Sequence, residues 1–150
     1  MLGGFDVPFP EPQLPESQAL RVLLVDPDPL HLDLWSALLS YVGYHVDCAR
    51  NCLEAALRLS GGIQCVVLDH YLPDMRGIDF VRNFTGPGNP SFVLLTGETN
   101  PFIHERAIQA GAAASLLKPS SLNEVVDAIE RACNSVPHVA PVHYMGRLSA

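Results

Sequence analysis

No stretch of this 150-residue sequence stays apolar long enough to span a bilayer. The N-terminus has no basic segment followed by an apolar one, so no secretory signal is expected. Positive charge is scarce. Nine Lys and Arg stand against 16 Asp and Glu, a net charge of −7. That balance leaves no footprint for nucleic acid or for an anionic membrane surface, and neither is expected as a direct partner. Cysteine is sparse as well. Cys48, Cys52, Cys65 and Cys133 form no CxxC pair and no Cys/His cluster at zinc spacing. Reduced thiols, packed or half-buried in a cytoplasmic protein, are the expectation. No internal repeat is visible.

What the sequence does have is a hydrophobic content of 48%, enough for one domain with a sizeable core. Residues 1–19 carry Pro8, Pro10, Pro12 and Pro15 and read as a Pro-rich extension. Residues 135–150, with Pro137 and Pro141, read as a tail. The domain is expected over 20–134. Within it, apolar runs alternate with helical patterns. Strands are predicted at Arg21–Val25, Tyr44–Ala49, Ile63–Leu68, Ser91–Leu95 and Ala114–Leu117. Helices are predicted at Pro29–Val42, Asn51–Leu59, Ile78–Phe84, from Asn100-Pro101 to Ala110, and after the Ser121/Glu124 capping box. In the first helix Leu30, Leu34, Leu38 and Tyr41 share a face. In the last, Leu122, Val125, Val126, Ile129 and Cys133 do. Asp28-Pro29 reads as cap and first turn, and Asn51/Glu54 as a second capping box.

Five strands alternating with five helices predict an α/β fold, a parallel sheet covered on both faces. Right-handed crossovers bring all strand ends to one edge. Those ends carry Asp26, Asp69, Thr96 and Lys118, with Asp28 just beyond the first. Open α/β sheets bind their ligands at this edge. A carboxylate there can accept a phosphoryl group as an acyl phosphate. Mg²⁺, held by carboxylates, water and phosphate oxygens, relieves the repulsion between two anions. A lysine adds positive charge, and a hydroxyl can donate a hydrogen bond to a phosphoryl oxygen.

The motifs VLLVD at the first strand, VVLDHYLPDMRG around Asp69, LLTG at the fourth and AGAAASLLKP at the fifth resemble the receiver domain of two-component response regulators, over roughly residues 20–134. The resemblance implies a flavodoxin-like (βα)5 doubly wound fold with strand order 2-1-3-4-5. It implies that Asp69 is the phosphoacceptor, Thr96 the switch hydroxyl and Lys118 the phosphate-binding lysine. Mg²⁺ would be held by Asp26, Asp69 and the Tyr71 backbone carbonyl, with Asp28 a further candidate. Pro119 would follow a cis bond, and Gly77 and Gly97 match small positions. The phosphoryl donor would be a histidine kinase or a histidine phosphotransfer protein. A homodimer through the fourth-helix, fifth-strand, fifth-helix face is a further expectation. Such a module signals by docking and is not expected to be an enzyme.

Two departures stand out. The second acid of the usual pair is replaced by Pro27, which removes one metal ligand. Ser115 stands where the family usually has an aromatic. These two support a second reading, a degenerate receiver that acts as a binding or dimerisation module without phosphate control. His70 and Tyr71, bulky neighbours of Asp69, read either as shields or as ordinary loop residues. A third reading is a haloacid-dehalogenase-like phosphatase, whose signature resembles Asp26-Pro27-Asp28-Pro29. It fails at Leu30 and leaves the stretch from Asp69 to Gly77 unexplained.

Overall fold

The computed structural model describes residues 19–134. The extension and the tail expected over 1–19 and 135–150 lie outside the described residues, apart from residue 19. Strands and helices alternate along the chain: β1 (Arg21–Val25), α1 (Pro29–Val42), β2 (His45–Ala49), α2 (Cys52–Arg58), β3 (Cys65–Leu68), α3 (Gly77–Phe84), β4 (Ser91–Thr96), α4 (Pro101–Ala110), β5 (Ala114–Leu117) and α5 (Leu122–Asn134). A 3-10 turn, Leu59–Gly61, continues α2. All four strand pairings are parallel, in the order β2-β1-β3-β4-β5. This is the flavodoxin-like sheet that the alternation predicts.

Side-chain alternation along the strands divides the interior in two. Leu23, Val25, Val66, Leu68, Phe92 and Leu94 point to the face covered by α2, α3 and α4. Val22, Leu24, Cys65, Val67, Val93 and Leu95 point to the face covered by α1 and α5. The central strands β1, β3 and β4 are buried on both faces, which explains their unbroken apolar runs.

The first helix differs from its predicted orientation. Its buried residues are Leu32, Trp35 and Leu39, while Leu30 is 77% and Tyr41 64% exposed. Leu34 is exposed too, and Leu38 is only partly buried. The helix is apolar on nearly every side, so two stripes fit the helical period equally well. Packing against Val22, Leu24 and α5 selects the one carrying Trp35. The last helix comes closer to expectation. Val125 and Ile129 are buried with Ala128 and Ala132, and Leu122, Val126 and Cys133 pack at the margin.

β2 starts one residue later than predicted, because the Tyr44 amide is spent closing α1. It donates to the Leu39 carbonyl at 3.1 Å, beside Gly43 with φ of +120°. The Ser121/Glu124 capping box forms in both directions, at 3.1 and 2.8 Å. At α2, Asn51 accepts from the Glu54 amide at 2.8 Å, but Glu54 reaches back to the Arg50 amide instead of that of Asn51. The four cysteines are free thiols. Burial, then the neighbouring Asp74, pushes the Cys52 thiol up to about 12.

α2 has a second cap that comes from far along the chain. Both Asp74 oxygens accept backbone amides of its first turn, from Cys52 at 2.9 Å and Leu53 at 3.0 Å. The Cys52 bond, with that from Leu53, holds the Asp74 carboxyl below its ordinary range. A carboxyl depressed by folding stabilises the native state above its unfolded pKa. That contribution begins to fade below an unfolded pKa of about 4 and is lost as the pH falls through the folded value beneath it. Asp74→Ala is expected to lower stability by about 1 kcal/mol at neutral pH. Urea unfolding at pH 7 and at pH 3 checks it. The gap between variant and parent narrows at the lower pH, and an equal gap at both would rule out the charged cap.

Candidate functional site

The parallel register between β1 and β3 pairs Val25 with Leu68, so the next residues, Asp26 and Asp69, emerge side by side at the carboxyl edge. Their backbone positions are held by ladder-like bonds, Asp26 N–H to the Ala49 carbonyl at 3.1 Å and Asp69 N–H to the Val25 carbonyl at 3.0 Å. From the far end of the sheet Lys118 reaches across. Its Nζ donates to Asp26 Oδ2 at 2.8 Å and to Asp69 Oδ2 at 3.0 Å. Burial works to lower the Lys118 pKa, but the bonds to Asp26 and Asp69 outweigh it and hold the ammonium above its ordinary range. The Lys118-Pro119 bond is cis, as the resemblance implies.

Asp26 is buried and heavily engaged. Oδ1 accepts the Asp28 amide at 2.8 Å. Oδ2 takes His31 Nδ1 at 2.8 Å besides the lysine. Asp69 lies nearer the surface. Its Oδ1 accepts the His70 amide at 2.6 Å, with the Tyr71 amide at 3.4 Å. Asp28 is turned away. It is exposed, and its side chain caps α1 by accepting the Leu30 amide at 3.0 Å. Thr96 is fully buried at the end of β4, and its Oγ1 accepts the Glu98 amide at 3.3 Å. The structure therefore brings Asp26, Asp69 and Lys118 into direct contact. Thr96 hydrogen-bonds within its own loop, and Asp28 is engaged as a cap.

Two loops frame the opening. Tyr71, after β3, donates its hydroxyl to the Glu98 carboxylate, after β4. This bond holds Glu98 below its ordinary range. The Arg76 guanidinium sits 4.9 Å from the centre of the Tyr71 ring. His70 is buried, and burial followed by the charge of Arg76 lowers its pKa. Gly77 is required for the loop to close. A Cβ there would lie 2.3 Å from the Asp69 carbonyl oxygen. A Cβ at Gly97 would meet open space.

His31 is the site residue that sequence reasoning missed. It lies on α1, three residues after the cap, and lines a small cavity with Asp26, Asp69 and Trp35. A histidine in the first turn of a helix reads as an ordinary surface residue. The only signal is that Asp28 starts the helix beside Asp26, so residue 31, one turn on, faces the same edge.

A family model, the response regulator receiver domain, matches residues 22–130. The chain belongs to that family. It is 30% identical over 124 residues to the transcriptional regulatory protein AruR of Pseudomonas aeruginosa, a match covering 79% of this chain and 51% of that protein. It is 31% identical over 116 residues to the probable transcriptional regulatory protein TcrX of Mycobacterium tuberculosis, covering 74% and 48%. Among solved structures, the receiver domain of the response regulator NarL from Mycobacterium tuberculosis superposes with a TM-score of 0.71 at 27% identity. That match covers 79% of this chain and 98% of the other. The beryllofluoride-activated receiver dimer of NtrC4 matches with a TM-score of 0.68 at 30% identity, covering 75% and 95%. The chain spans about half the length of the curated relatives it matches. No helix among the described residues is long and apolar enough to cross a membrane.

Receiver domains bind Mg²⁺ at this acidic pocket. Among the described residues, no three His, Cys, Asp or Glu side chains gather closely enough to hold a metal alone. Two carboxylates on adjacent strands, Asp26 and Asp69, do fit a hard cation whose shell is completed by backbone oxygen and water. They fit it at the lower limit, because Pro27 supplies no third acid and His31 and Lys118 already share Asp26 Oδ2. His31→Ala is therefore expected to tighten Mg²⁺ binding by about three- to tenfold, the worth of one freed hydrogen bond. Trp35, the chain's single tryptophan, sits against the pocket and reports a Mg²⁺ titration by its fluorescence. Weaker binding in the variant would show instead that the imidazole assists the ion. Gly77→Ala is expected to displace the Asp69 main chain and to cost about 2 kcal/mol of stability, measurable in the same unfolding series.

Proposed function

We propose that this chain is a signalling receiver that takes a phosphoryl group onto Asp69 from a phosphohistidine of a kinase or phosphotransfer protein. An Asp69 carboxylate oxygen attacks phosphorus, the P–N bond of the donor histidine breaks, and the departing imidazole keeps the electron pair and takes up a proton. Mg²⁺ at Asp26 and Asp69 would neutralise charge on the phosphoryl oxygens. Lys118 stabilises the same oxygens from the other side, and the Thr96 hydroxyl turns from the Glu98 amide toward them. The observation that carries the reading is the Lys118 ammonium held between Asp26 and Asp69 at 2.8 and 3.0 Å. A cation so placed is poised for an incoming anion.

Phosphorylation would then shift the balance between two conformations of the fold. The face formed by α4, β5 and α5 carries exposed Phe102, Ile108 and Leu117 and suits self-association or docking. The chain itself would act in the cytoplasm, as a binding module and not as an enzyme, and without touching nucleic acid directly. Any output would come from a partner or from sequence beyond the receiver.

One observation favours the second reading, a receiver that works without phosphate. Asp26 Oδ2 already takes Lys118 Nζ and His31 Nδ1, each at 2.8 Å, and Pro27 leaves the metal one ligand short. The phosphatase reading loses its footing, because Asp28 of the DxD-like pair is spent on the α1 cap. Intact mass after incubation with phosphoramidate separates the two that remain. A Mg²⁺-dependent gain of one phosphoryl group, absent in Asp69→Ala, is expected. No gain at high donor and Mg²⁺ would exclude independent phosphorylation and favour the phosphate-free module.

A further inference from the structure

Ser115 lies on β5, on the face of the sheet covered by α4. It pairs in register with Leu94, two residues before Thr96. A small hydroxyl there leaves room beside α4, and His104 fills it. His104 Nδ1 and Ser115 Oγ are 2.6 Å apart, and His104 Nε2 lies 2.6 Å from the Glu98 carbonyl oxygen. The Glu98 carbonyl can only accept, so Nε2 carries a proton and donates. In the neutral ring the Ser115 hydroxyl then donates to Nδ1. The ring, half-buried under α4, thus ties a helix, a strand and a loop with two directional bonds.

The loop it holds is the one behind Thr96. Every polar group of Glu98 is engaged. Its amide donates to Thr96 Oγ1 at 3.3 Å. Its carbonyl accepts from His104. Its carboxylate takes the Asn100 amide at 2.7 Å and the Tyr71 hydroxyl. Asn100 in turn caps α4 through the Phe102 amide at 2.9 Å. If the Thr96 hydroxyl leaves the Glu98 amide for a phosphoryl oxygen, the turn at Glu98 loses one of its two backbone anchors. The remaining anchor is His104.

We propose that His104 is the positioning residue of the switch: bonded to the Glu98 carbonyl and to Ser115, it carries movement behind Thr96 to the α4–β5 surface. It does in hydrogen bonds what a buried ring at position 115 would do by packing. The bonds are directional, so a shift of the Glu98 carbonyl turns the imidazole and moves Ser115 with it. Phe102 lies two residues before His104 on α4, and Leu117 two residues after Ser115 on β5. Both are exposed, so the displacement emerges where a partner can read it. The inference rests on the reading of Asp69 as acceptor and Thr96 as the hydroxyl that moves.

The test uses the full chain and the variants His104→Leu, His104→Gln, Ser115→Ala and the double variant His104→Leu/Ser115→Ala. In the unmodified protein, hydrogen exchange at Gly97–Asn100 is expected to rise about tenfold in His104→Leu. Ser115→Ala should give part of that rise, and the double variant no more than His104→Leu alone. With phosphoramidate and Mg²⁺, intact mass is expected to show equal phosphoryl uptake in parent and single variants. Exchange in α4 and β5 should change in the parent, stay flat in His104→Leu, and return in His104→Gln, whose amide can both donate and accept. A parent-like change in phosphorylated His104→Leu would overturn the relay, and so would additive effects of the two sites in the unmodified protein. If the parent gains no phosphoryl group, the acceptor reading fails. The exchange cycle in the unmodified protein then decides alone, non-additivity upholding the tie and additivity ending it.

Discussion

The Lys118 ammonium between Asp26 and Asp69 is the interaction on which the site depends. Two carboxylates on neighbouring strands repel each other, and burial at the sheet edge makes that repulsion stronger. One cation from β5, bonded to both, offsets it. The three side chains follow strands that are not consecutive, so the contact depends on how β1, β3 and β5 are placed in the sheet. Displacing β3 or β5 would part Asp69 from Lys118. The pocket is therefore a check on the topology as well as a place for chemistry.

Around these three side chains the loops are fastened to helices and to one another. Asp28 caps its own helix, Asp74 caps α2 from the loop after β3, and Tyr71 reaches Glu98 across the opening. Glu98 links onward to Thr96, Asn100 and His104. A charge placed on Asp69 would meet a connected polar frame instead of separate flexible segments. Such frames have discrete arrangements, which is what a two-state response requires.

Much of this was legible in the chain. Apolar runs ending in Asp26, Asp69 and Thr96, with helical patterns between them, define the sheet and its edge. The stretch from Asp69 to Gly77 has a steric basis in Gly77, whose hydrogen lies where a Cβ would strike the Asp69 carbonyl. What was not legible depends on tertiary neighbours. α1 carries leucines on nearly all sides, and only the position of β1 and α5 decides which of them are buried. His31 and His104 look like ordinary polar positions until strand order sets Asp26 beside one and Ser115 beside the other. Ser115 stands where the resemblance implies an aromatic. The ring bonded to it lies eleven residues upstream, on another element, and no local pattern joins the two.

The sheet also keeps two accounts that rarely mix. Phe80, Phe92 and the small residues of α4 fill one side, while Trp35, Ile129 and Val125 fill the other, with backbone between them. One compartment can be rebuilt by mutation while the other stands, provided strand length and register survive. The α4 side holds His104 and Ser115, and the α1 side holds His31 and Trp35. A substitution at either histidine is therefore met by the packing of its own side, with the sheet backbone standing between the two.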